Sequence, residues 1–316
     1  MNVRKIAIVG VGHVGAHVGF TLMKDSLVDE LLLVDKNRQK AESECQDLRD
    51  AAMFCNYHVN VNVADFSELG DVDIIIDSVG KIELLETHDR LTELNFTIEQ
   101  VNEIVPKIMA SGFHGYIINI TNPCDIITRQ IAKLSGLPKG HVFGTGTGLD
   151  TSRLVSALSM QTGIDHKSIT AYMMGEHGDK QMVPWSVVSF GGMSLDEFAK
   201  IDDRFVFDRD EMQTRAIKGG WVTYVGKECT EYGICCAAAR IVGIMEHDEK
   251  KIIPASFELD GEYGEKGLFA GVPCLIGKNG VERVIELPLT EEEQRRFHEC
   301  CDGIRKNMTL NDHVIK

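Results

Sequence analysis

Residues 5–15 of the chain read KIAIVGVGHVG. The apolar run at the start predicts a buried strand, and a helical pattern begins at Val14. Between the two, Gly10 permits a tight turn, Gly12 lets a pyrophosphate approach the backbone, and Gly15 lets the helix pack closely on the strand. The free N–H groups at the N-terminus of that helix would bind the phosphates. The stretch therefore predicts a dinucleotide-binding turn.

An acidic residue supports this interpretation and bears on the choice of cofactor. A second apolar run, residues 30–34, ends at Asp35, about 20 residues after Gly15. A carboxylate there accepts hydrogen bonds from an adenosine ribose and repels a 2′-phosphate. Lys36 and Arg38 lie nearby and could accommodate such a phosphate. On balance, the sequence predicts NAD rather than NADP as the cofactor.

The rest of the chain falls into two patterns. Strand and helix patterns alternate up to residue 144, which predicts the α/β class with a Rossmann-type doubly wound parallel sheet. Helices and antiparallel strands follow and predict an α+β substrate domain. We therefore expect a dinucleotide-binding domain at residues 1–144 and a substrate/catalytic domain at residues 145–316. The expected antiparallel strands are residues 255–259, 268–276 and 280–286, with turns at 271–273 and 278–280.

A second glycine-flanked motif, Gly175-Glu176-His177-Gly178-Asp179, lies in the later half. Its glycines leave space beside the imidazole for a ligand. The apolar residues 171–174 predict a buried strand that presents His177 at its end. A turn whose histidine only satisfies a hydrogen bond is the alternative, because a motif this short is weak evidence.

Asp150 and Arg153 supply further chemistry for that histidine. They are three residues apart at a predicted helix start, so they share one face. If this face meets His177, the Asp150 carboxylate orients the imidazole and raises its pKa, as a proton donor near neutral pH requires. Arg153 can hold a carboxylate through two hydrogen bonds, with a surface salt bridge as the alternative. Beside a dinucleotide domain, this set indicates the oxidation of a hydroxy acid.

Composition excludes several other classes of protein. The 316-residue chain has a formal net charge of -15, which argues against nucleic acids and anionic membranes as partners. We expect neither a signal peptide nor a membrane span, because residues 1–5 lead directly into an apolar strand and no run of about 18 apolar residues occurs. The nine cysteines show neither a disulfide framework nor zinc-binding spacing. We expect a cytoplasmic protein with reduced cysteines and no metal.

Taken together, the motifs resemble those of the lactate/malate dehydrogenase family, and in particular its L-2-hydroxyacid branch, over nearly the full chain. The motifs that carry the resemblance are Gly10, Gly12 and Gly15 with Asp35, Thr121-Asn122-Pro123, residues 144–147 with Leu149-Asp150 and Arg153, and residues 175–179. The resemblance implies an NAD-dependent dehydrogenase that acts on a small 2-keto or 2-hydroxy acid. It also implies a homo-oligomer, either a dimer or a homotetramer.

The resemblance also assigns roles to individual residues. It implies that His177 exchanges a proton with the substrate oxygen, that Asp150 orients His177, and that Arg153 binds the substrate carboxylate. It implies that Arg90, on a loop that closes over the substrate, polarises the carbonyl, and that Asn122 contacts both substrate and nicotinamide. The remaining implied contacts are Thr230 with the substrate, and Gly10, Gly12, Val14, Gly15, Asp35 and Gly80 with the cofactor.

Departures from the family pattern bear on the substrate. Leu84 stands where malate enzymes carry an arginine, with Ile82 and Leu85 as alternatives because the register within residues 81–89 is uncertain. Gly219-Gly220 stands where lactate enzymes commonly have methyl-bearing residues. These features resemble the L-2-hydroxyisocaproate dehydrogenases. An apolar pocket would leave a second carboxylate unpaired, so we expect aliphatic 2-keto acids larger than pyruvate, such as 2-ketoisocaproate. Ile234 would line this pocket and Glu231 would face solvent.

Three alternative functions remain. They are an L-lactate dehydrogenase, a malate dehydrogenase, and a non-catalytic NADH-binding or redox-sensing protein on the same fold. The retained proton relay and arginines argue against the last of these. No activation by fructose 1,6-bisphosphate is expected, because Val155 and Thr170 stand where responsive enzymes carry an arginine and a histidine.

Overall fold

The computed structural model describes residues 3–80, 90–178 and 180–309. Its first half alternates strands with helices, as the sequence predicts. The strands are β1 (Lys5–Val9), β2 (Glu30–Val34), β3 (Asn60–Val63), β4 (Ile74–Asp77), β5 (Tyr116–Asn119) and β6 (Val142–Gly144). The helices are α1 (His13–Lys24), α2 (Arg38–Ala52), α3 (Arg90–Ala110) and α4 (Cys124–Ser135).

These strands pair in parallel in the order β3-β2-β1-β4-β5-β6. In the central strand β1, Ile6 and Ile8 pack into the core on one face, and Ala7 and Val9 pack into the core on the other. A strand covered on both faces needs apolar side chains at successive positions. Each fully buried isoleucine contributes about 1.5–3 kcal/mol to folding. The strand order confirms the predicted Rossmann-type doubly wound sheet.

The second half combines helices with antiparallel strands. The helices are α5 (Gly148–Thr162), α6 (Leu195–Phe198), α7 (Arg209–Lys227), α8 (Tyr232–Glu246) and α9 (Glu291–Thr309). The strands are β7 (Ile169–Thr170), β8 (Ser189–Phe190), β9 (Met193–Ser194), β10 (Lys251–Asp260), β11 (Lys266–Gly277) and β12 (Gly280–Val284). Strands β7, β8 and β9 form a small antiparallel sheet of their own.

The remaining strands of the second half extend the parallel sheet. β10 pairs antiparallel with β6 through Ser256 and Gly144, and β11 and β12 follow in turn. One sheet therefore runs through both halves of the chain. The division at residues 144 and 145 stays a prediction, because this sheet continues across it.

The strand predicted at residues 171–174 is wrong. Instead of a strand, the structure has two isolated β-bridges in this region, from Met174 to Met182 and from Gly175 to Gly271. The reason is that α5 takes the hydrogen bonds of Met173: its N–H donates to Thr151 Oγ1 (2.8 Å), and its carbonyl accepts from Thr147 Oγ1 (2.6 Å). Side-chain hydroxyls replace the neighbouring strand, and they fix the segment that leads to His177 against α5.

The turn predicted at residues 271–273 is also wrong, because these residues lie inside β11. A Cβ at Gly271 would lie 2.5 Å from Thr147 Oγ1, so glycine is required for close packing against α5. Pro273 pairs with Pro254 across the β10–β11 ladder. Glycine and proline usually indicate a turn, but here both lie within a strand, and the glycine is needed for close packing.

Candidate active site

A cavity of about 300 Å³ opens beyond the carboxyl ends of β5 and β6, and α1, α5, α7 and α8 contribute to its walls. Ligands of doubly wound proteins bind at this edge of the sheet. The cavity brings together residues that the sequence analysis identified in separate motifs. They are Val14, Asn122, Asp150, Arg153, His177, Thr230 and Ile234.

Within the lining of the cavity, Asp150 contacts both His177 and Arg153. Its Oδ2 lies 2.5 Å from His177 Nδ1, and its Oδ1 accepts a hydrogen bond from Arg153 Nη1 at 2.9 Å. The Asp150 side chain is only 2% exposed, whereas that of His177 is 24% exposed and reaches the cavity. The spacing of three residues at the start of α5 explains why Asp150 and Arg153 share a face.

The same contact sets the protonation of the pair. Burial acts to lower the pKa of His177, but the Asp150 carboxylate outweighs it and raises that pKa above its ordinary value. For Asp150, burial acts to raise the pKa, and the charges of His177 and Arg153 bring it below its ordinary value. The arrangement therefore favours an imidazolium beside a carboxylate, which is the state that a proton donor requires.

A second carboxylate, which the sequence analysis did not identify, holds the backbone of His177. Asp125, in the first turn of α4, accepts the N–H of His177 at Oδ2 (2.9 Å) and the hydroxyl of Ser256 at Oδ1 (2.5 Å). Burial raises the pKa of Asp125 to about 6, against the effect of these hydrogen bonds. An acid in the first turn of a helix is common, so its position alone gave no sign of partners 52 and 131 residues away.

The glycine pair of α7 packs against Arg153. A Cβ at Gly219 would lie 3.1 Å from Arg153 Cδ, and a Cβ at Gly220 would lie 3.3 Å from Arg153 Nη2. The space that these glycines leave therefore accommodates the guanidinium. Gly220 also lines the cavity, so methyl groups at this pair would press on Arg153 before they reached a substrate.

On the cofactor side, the turn after β1 has the geometry that a dinucleotide requires. Gly10 has a φ of +89°, and a Cβ there would lie 2.7 Å from Ser78 O. A Cβ at Gly12 would meet no atom of the described residues within 4 Å, so the backbone at the N-terminus of α1 is open to a phosphate. A Cβ at Gly80 would likewise meet none of them. These residues fit the diphosphate of a dinucleotide.

Asp35 lies beside this turn. Its Oδ2 accepts the N–H of Val11 at 2.9 Å, and its Oδ1 accepts the N–H of Asn37 at 2.8 Å. Both hydrogen bonds hold the carboxylate at the end of β2, where a ribose of the dinucleotide would lie. A 2′-phosphate would meet a fixed negative charge there.

Several predicted site residues fall wholly or partly outside the part of the chain that the structure describes. Leu84, with its alternatives Ile82 and Leu85, lies outside the described residues, and so does Asp179. Arg90 begins α3, and the structure describes no more of it than its backbone.

The expectation that Glu231 faces solvent is wrong. Glu231 is 7% exposed and forms an ion pair with Lys227. It is buried because it immediately precedes α8, whose first turns pack against α1. Among the described residues, its neighbours Cys229 and Thr230 line the cavity.

The described residues contain neither a metal-binding group nor a membrane-spanning helix. Within residues 3–80, 90–178 and 180–309, no group of three or more His, Cys, Asp or Glu side chains has an arrangement that could hold a metal ion. In that same part of the chain, no helix is both long and apolar enough to cross a membrane.

Comparison with known proteins shows which protein family the chain resembles. Residues 4–144 match the lactate/malate dehydrogenase NAD binding domain, and residues 147–314 match the lactate/malate dehydrogenase alpha/beta C-terminal domain. An L-lactate dehydrogenase of Fusobacterium nucleatum is 38% identical over 308 residues, which cover 97% of this chain and 96% of that protein. L-lactate dehydrogenase 3 of Bacillus cereus (ATCC 10987) is 40% identical over 309 residues, with coverage of 97% and 98%.

A solved structure has the same fold. The minor L-lactate dehydrogenase of Enterococcus mundtii, in its ligands-bound form, superimposes with a TM-score of 0.92 at 32% identity, and the match covers 98% of each chain. The matches extend over both halves of the chain and include the sheet, the cofactor turn and the cavity. The chain therefore belongs to the lactate/malate dehydrogenase family of NAD-dependent oxidoreductases.

Proposed function

We propose that this protein is an L-2-hydroxyacid dehydrogenase that reduces aliphatic 2-keto acids larger than pyruvate, such as 2-ketoisocaproate, to L-2-hydroxy acids. The residues that line the cavity carry the proposal. His177, Arg153 and Asn122 contribute polar groups to the lining. The apolar lining comes from Leu149, Ile217, Trp221, Tyr224 and Ile234. A 2-keto acid has the matching form, with a carboxylate and carbonyl at one end and an apolar chain at the other.

The polar residues of the lining take distinct roles in this proposal. Arg153 binds the substrate carboxylate through its planar fork, and Asn122 and Thr230 contact the substrate. Because Asp150 holds Nδ1 of His177, the other ring nitrogen, Nε2, donates the proton to the substrate oxygen. Arg90 polarises the carbonyl. When bound, the cofactor supplies the hydride, and Val14 and the turn at residues 10–15 hold it beside the cavity.

In this proposal, the apolar side chains of the lining determine the substrate preference. Each methylene that a substrate buries contributes about 0.8 kcal/mol, so a longer aliphatic chain gains affinity in steps. A substrate with a second carboxylate would bury that charge against apolar side chains, at a cost of several kcal/mol. We therefore expect a graded preference over pyruvate, by roughly tenfold to a few hundredfold, and a stronger rejection of oxaloacetate.

This preference is tested by kcat/KM for pyruvate, oxaloacetate and 2-ketoisocaproate with NADH. Ile234→Ser, in the cavity wall, should reduce activity on 2-ketoisocaproate more than on pyruvate. Ile201→Ser, at a residue that is 71% exposed, is the matched control and should change neither. Highest activity on oxaloacetate would refute the apolar-pocket argument, and no turnover of any acid would favour the NADH-binding alternative.

The second candidate is an L-lactate dehydrogenase. It is favoured by the relatives, because those of Fusobacterium nucleatum and Bacillus cereus both carry that name. The same measurement separates the two candidates, since highest kcat/KM on pyruvate would identify the protein as a lactate enzyme.

The raised pKa of His177 leads to a prediction of pH dependence. Reduction needs protonated His177, and Asp150 keeps the proton bound to a pH above the ordinary histidine pKa of about 6.5. Asp150→Asn removes that carboxylate and lowers the pKa of His177, so the fall in kcat/KM for reduction at rising pH should begin at a lower pH. The measurement is the pH profile of kcat/KM. Asp203→Asn, at an exposed residue, should leave the profile in place, and an unchanged profile for Asp150→Asn would contradict the proposed pairing.

A further inference from the structure

Glu231 is a buried carboxylate for which the proposed chemistry has no role. Its side chain is 8% exposed, and it forms an ion pair with Lys227. Lys227 Nζ in turn lies 3.4 Å from the centre of the Tyr232 ring. Glu231 Oε1 also lies 3.8 Å from Nδ1 of both His13 and His17 on α1. The carboxylate thus contacts charged or titratable groups from α7 and α1.

Glu231 lies where the cofactor helix meets the wall of the substrate cavity. Cys229 and Thr230, which precede it, line that cavity. The first turns of α8, which follow it, pack on both sides: Cys235 Sγ lies 3.5 Å from Val14 O in α1, and a Cβ at Gly233 would lie 2.6 Å from Leu149 Cδ1 in α5. We call residues 229–235 the junction. A shift of this junction would therefore move the cavity wall relative to α1.

The ion pair explains why the junction stays in place. Glu231 occupies the N-cap position of α8, but its side chain makes no capping hydrogen bond to that helix. Its charge is instead satisfied by Lys227, whose ammonium nitrogen is itself buried. The Lys227 side chain as a whole is 34% exposed, so the pair is partly buried. Removal of one partner from such a pair leaves the other charge without its partner, at a cost that increases with burial. The backbone at residues 227–231 would then rearrange, and Thr230 with it.

We propose that Glu231 is a positioning residue, which through its charge holds the Cys229–Thr230 wall of the substrate cavity against the cofactor helix α1. It touches neither reactant and acts through Lys227 and the wall. The inference rests on the family's dehydrogenase activity, and it does not depend on which keto acid is preferred.

The test uses Glu231→Gln, which keeps the shape of the side chain and removes its charge. The assay uses NADH and whichever of pyruvate and 2-ketoisocaproate the unmodified enzyme reduces with the higher kcat/KM. The KM for that acid should rise about tenfold, with kcat within about threefold, since His177 and Arg153 are untouched. NADH affinity, from fluorescence titration, should change less than about threefold, because the phosphate-binding backbone of α1 is retained.

Two further variants separate charge from general disturbance. Glu231→Asp retains the charge and should restore most of the KM. Glu228→Gln makes the same chemical change at an exposed residue three positions earlier, and it should have no effect. An unchanged KM in Glu231→Gln, or an equal rise in Glu228→Gln, would overturn the proposal.

The ion pair can be tested from its other side. Lys227→Met should raise the KM for the keto acid in the same direction. Because the two residues act as a unit, the double variant Lys227→Met/Glu231→Gln should be no worse than the more affected single variant. An unchanged KM in Lys227→Met, or effects that multiply in the double variant, would show that the pair does not hold the wall.

Discussion

His177→Asn should lower kcat for keto-acid reduction by about 10²- to 10⁴-fold, the usual contribution of a positioned general acid. Asparagine keeps a polar group near Asp150 but cannot donate a proton as imidazolium does. The large effect is expected because the variant loses the imidazole that Asp150 orients, whereas the contact of Asp125 with the backbone N–H is retained. Asp150 lies 2.5 Å from its Nδ1, and Asp125 accepts its backbone N–H at 2.9 Å.

The same substitution should leave NADH affinity within about twofold, because Asp35 and the cofactor turn are held by contacts within β1, α1 and β2, whereas His177 is held by Asp150 and Asp125. Steady-state kinetics and fluorescence titration of NADH measure the two quantities separately. His166→Asn, at an exposed histidine after α5, is the matched control and should retain full turnover. Near-normal kcat in His177→Asn would require a different proton donor.

Arg153→Gln should lower kcat/KM for the keto acid by roughly 30- to 5,000-fold, because the loss of one partner from a buried, hydrogen-bonded charge pair costs about 2–5 kcal/mol. The guanidinium is held by Asp150 on one side and by the glycine pair of α7 on the other. Arg153→Lys keeps the charge and loses the planar fork, so its activity should fall between those of the glutamine variant and the unmodified enzyme.

The KM identifies the cause of that loss. Arg153 also contacts Asp150, so a disturbed proton relay would lower kcat alone, whereas a lost carboxylate clamp raises the KM for the keto acid as well. Arg295→Gln and Arg295→Lys are suitable controls, because Arg295 pairs with Glu292 three residues away on the exposed face of α9. An unchanged KM in Arg153→Gln would mean that the substrate carboxylate binds elsewhere.

Local patterns in the sequence were sufficient for much of the fold. The predicted apolar runs at residues 5–9 and 30–34 coincide with β1 and β2, because a doubly covered strand needs apolar side chains at successive positions. The glycine spacing at residues 10–15 predicts the cofactor turn for a similar reason. The three glycines lie within six residues, and a Cβ at Gly15 would lie 2.0 Å from Gly10 O, so the motif is visible in a short window.

The segments for which the sequence prediction was wrong share one property. Their conformation or burial depends on contacts with residues that are distant in sequence. Residues 171–174 resemble a strand, but the hydroxyls of Thr147 and Thr151 take the hydrogen bonds of Met173. Gly271 and Pro273 resemble a turn, but Gly271 packs closely against Thr147. Glu231 resembles a surface residue by its charge, but the packing of α8 against α1 brings its Oε1 to 3.8 Å from Nδ1 of both His13 and His17.

The sequence by itself determined the fold class, the cofactor turn and the identity of His177, Asp150 and Arg153 as candidates, because these depend on residue type and short spacing. Only the tertiary structure brought Asp125 and Ser256 to His177 and joined β10 to β6. It alone placed Glu231 between the cofactor helix and the cavity wall. Such contacts join elements far apart in the chain, and their partners are chosen by the packing of whole helices and strands, which no local pattern of residues encodes.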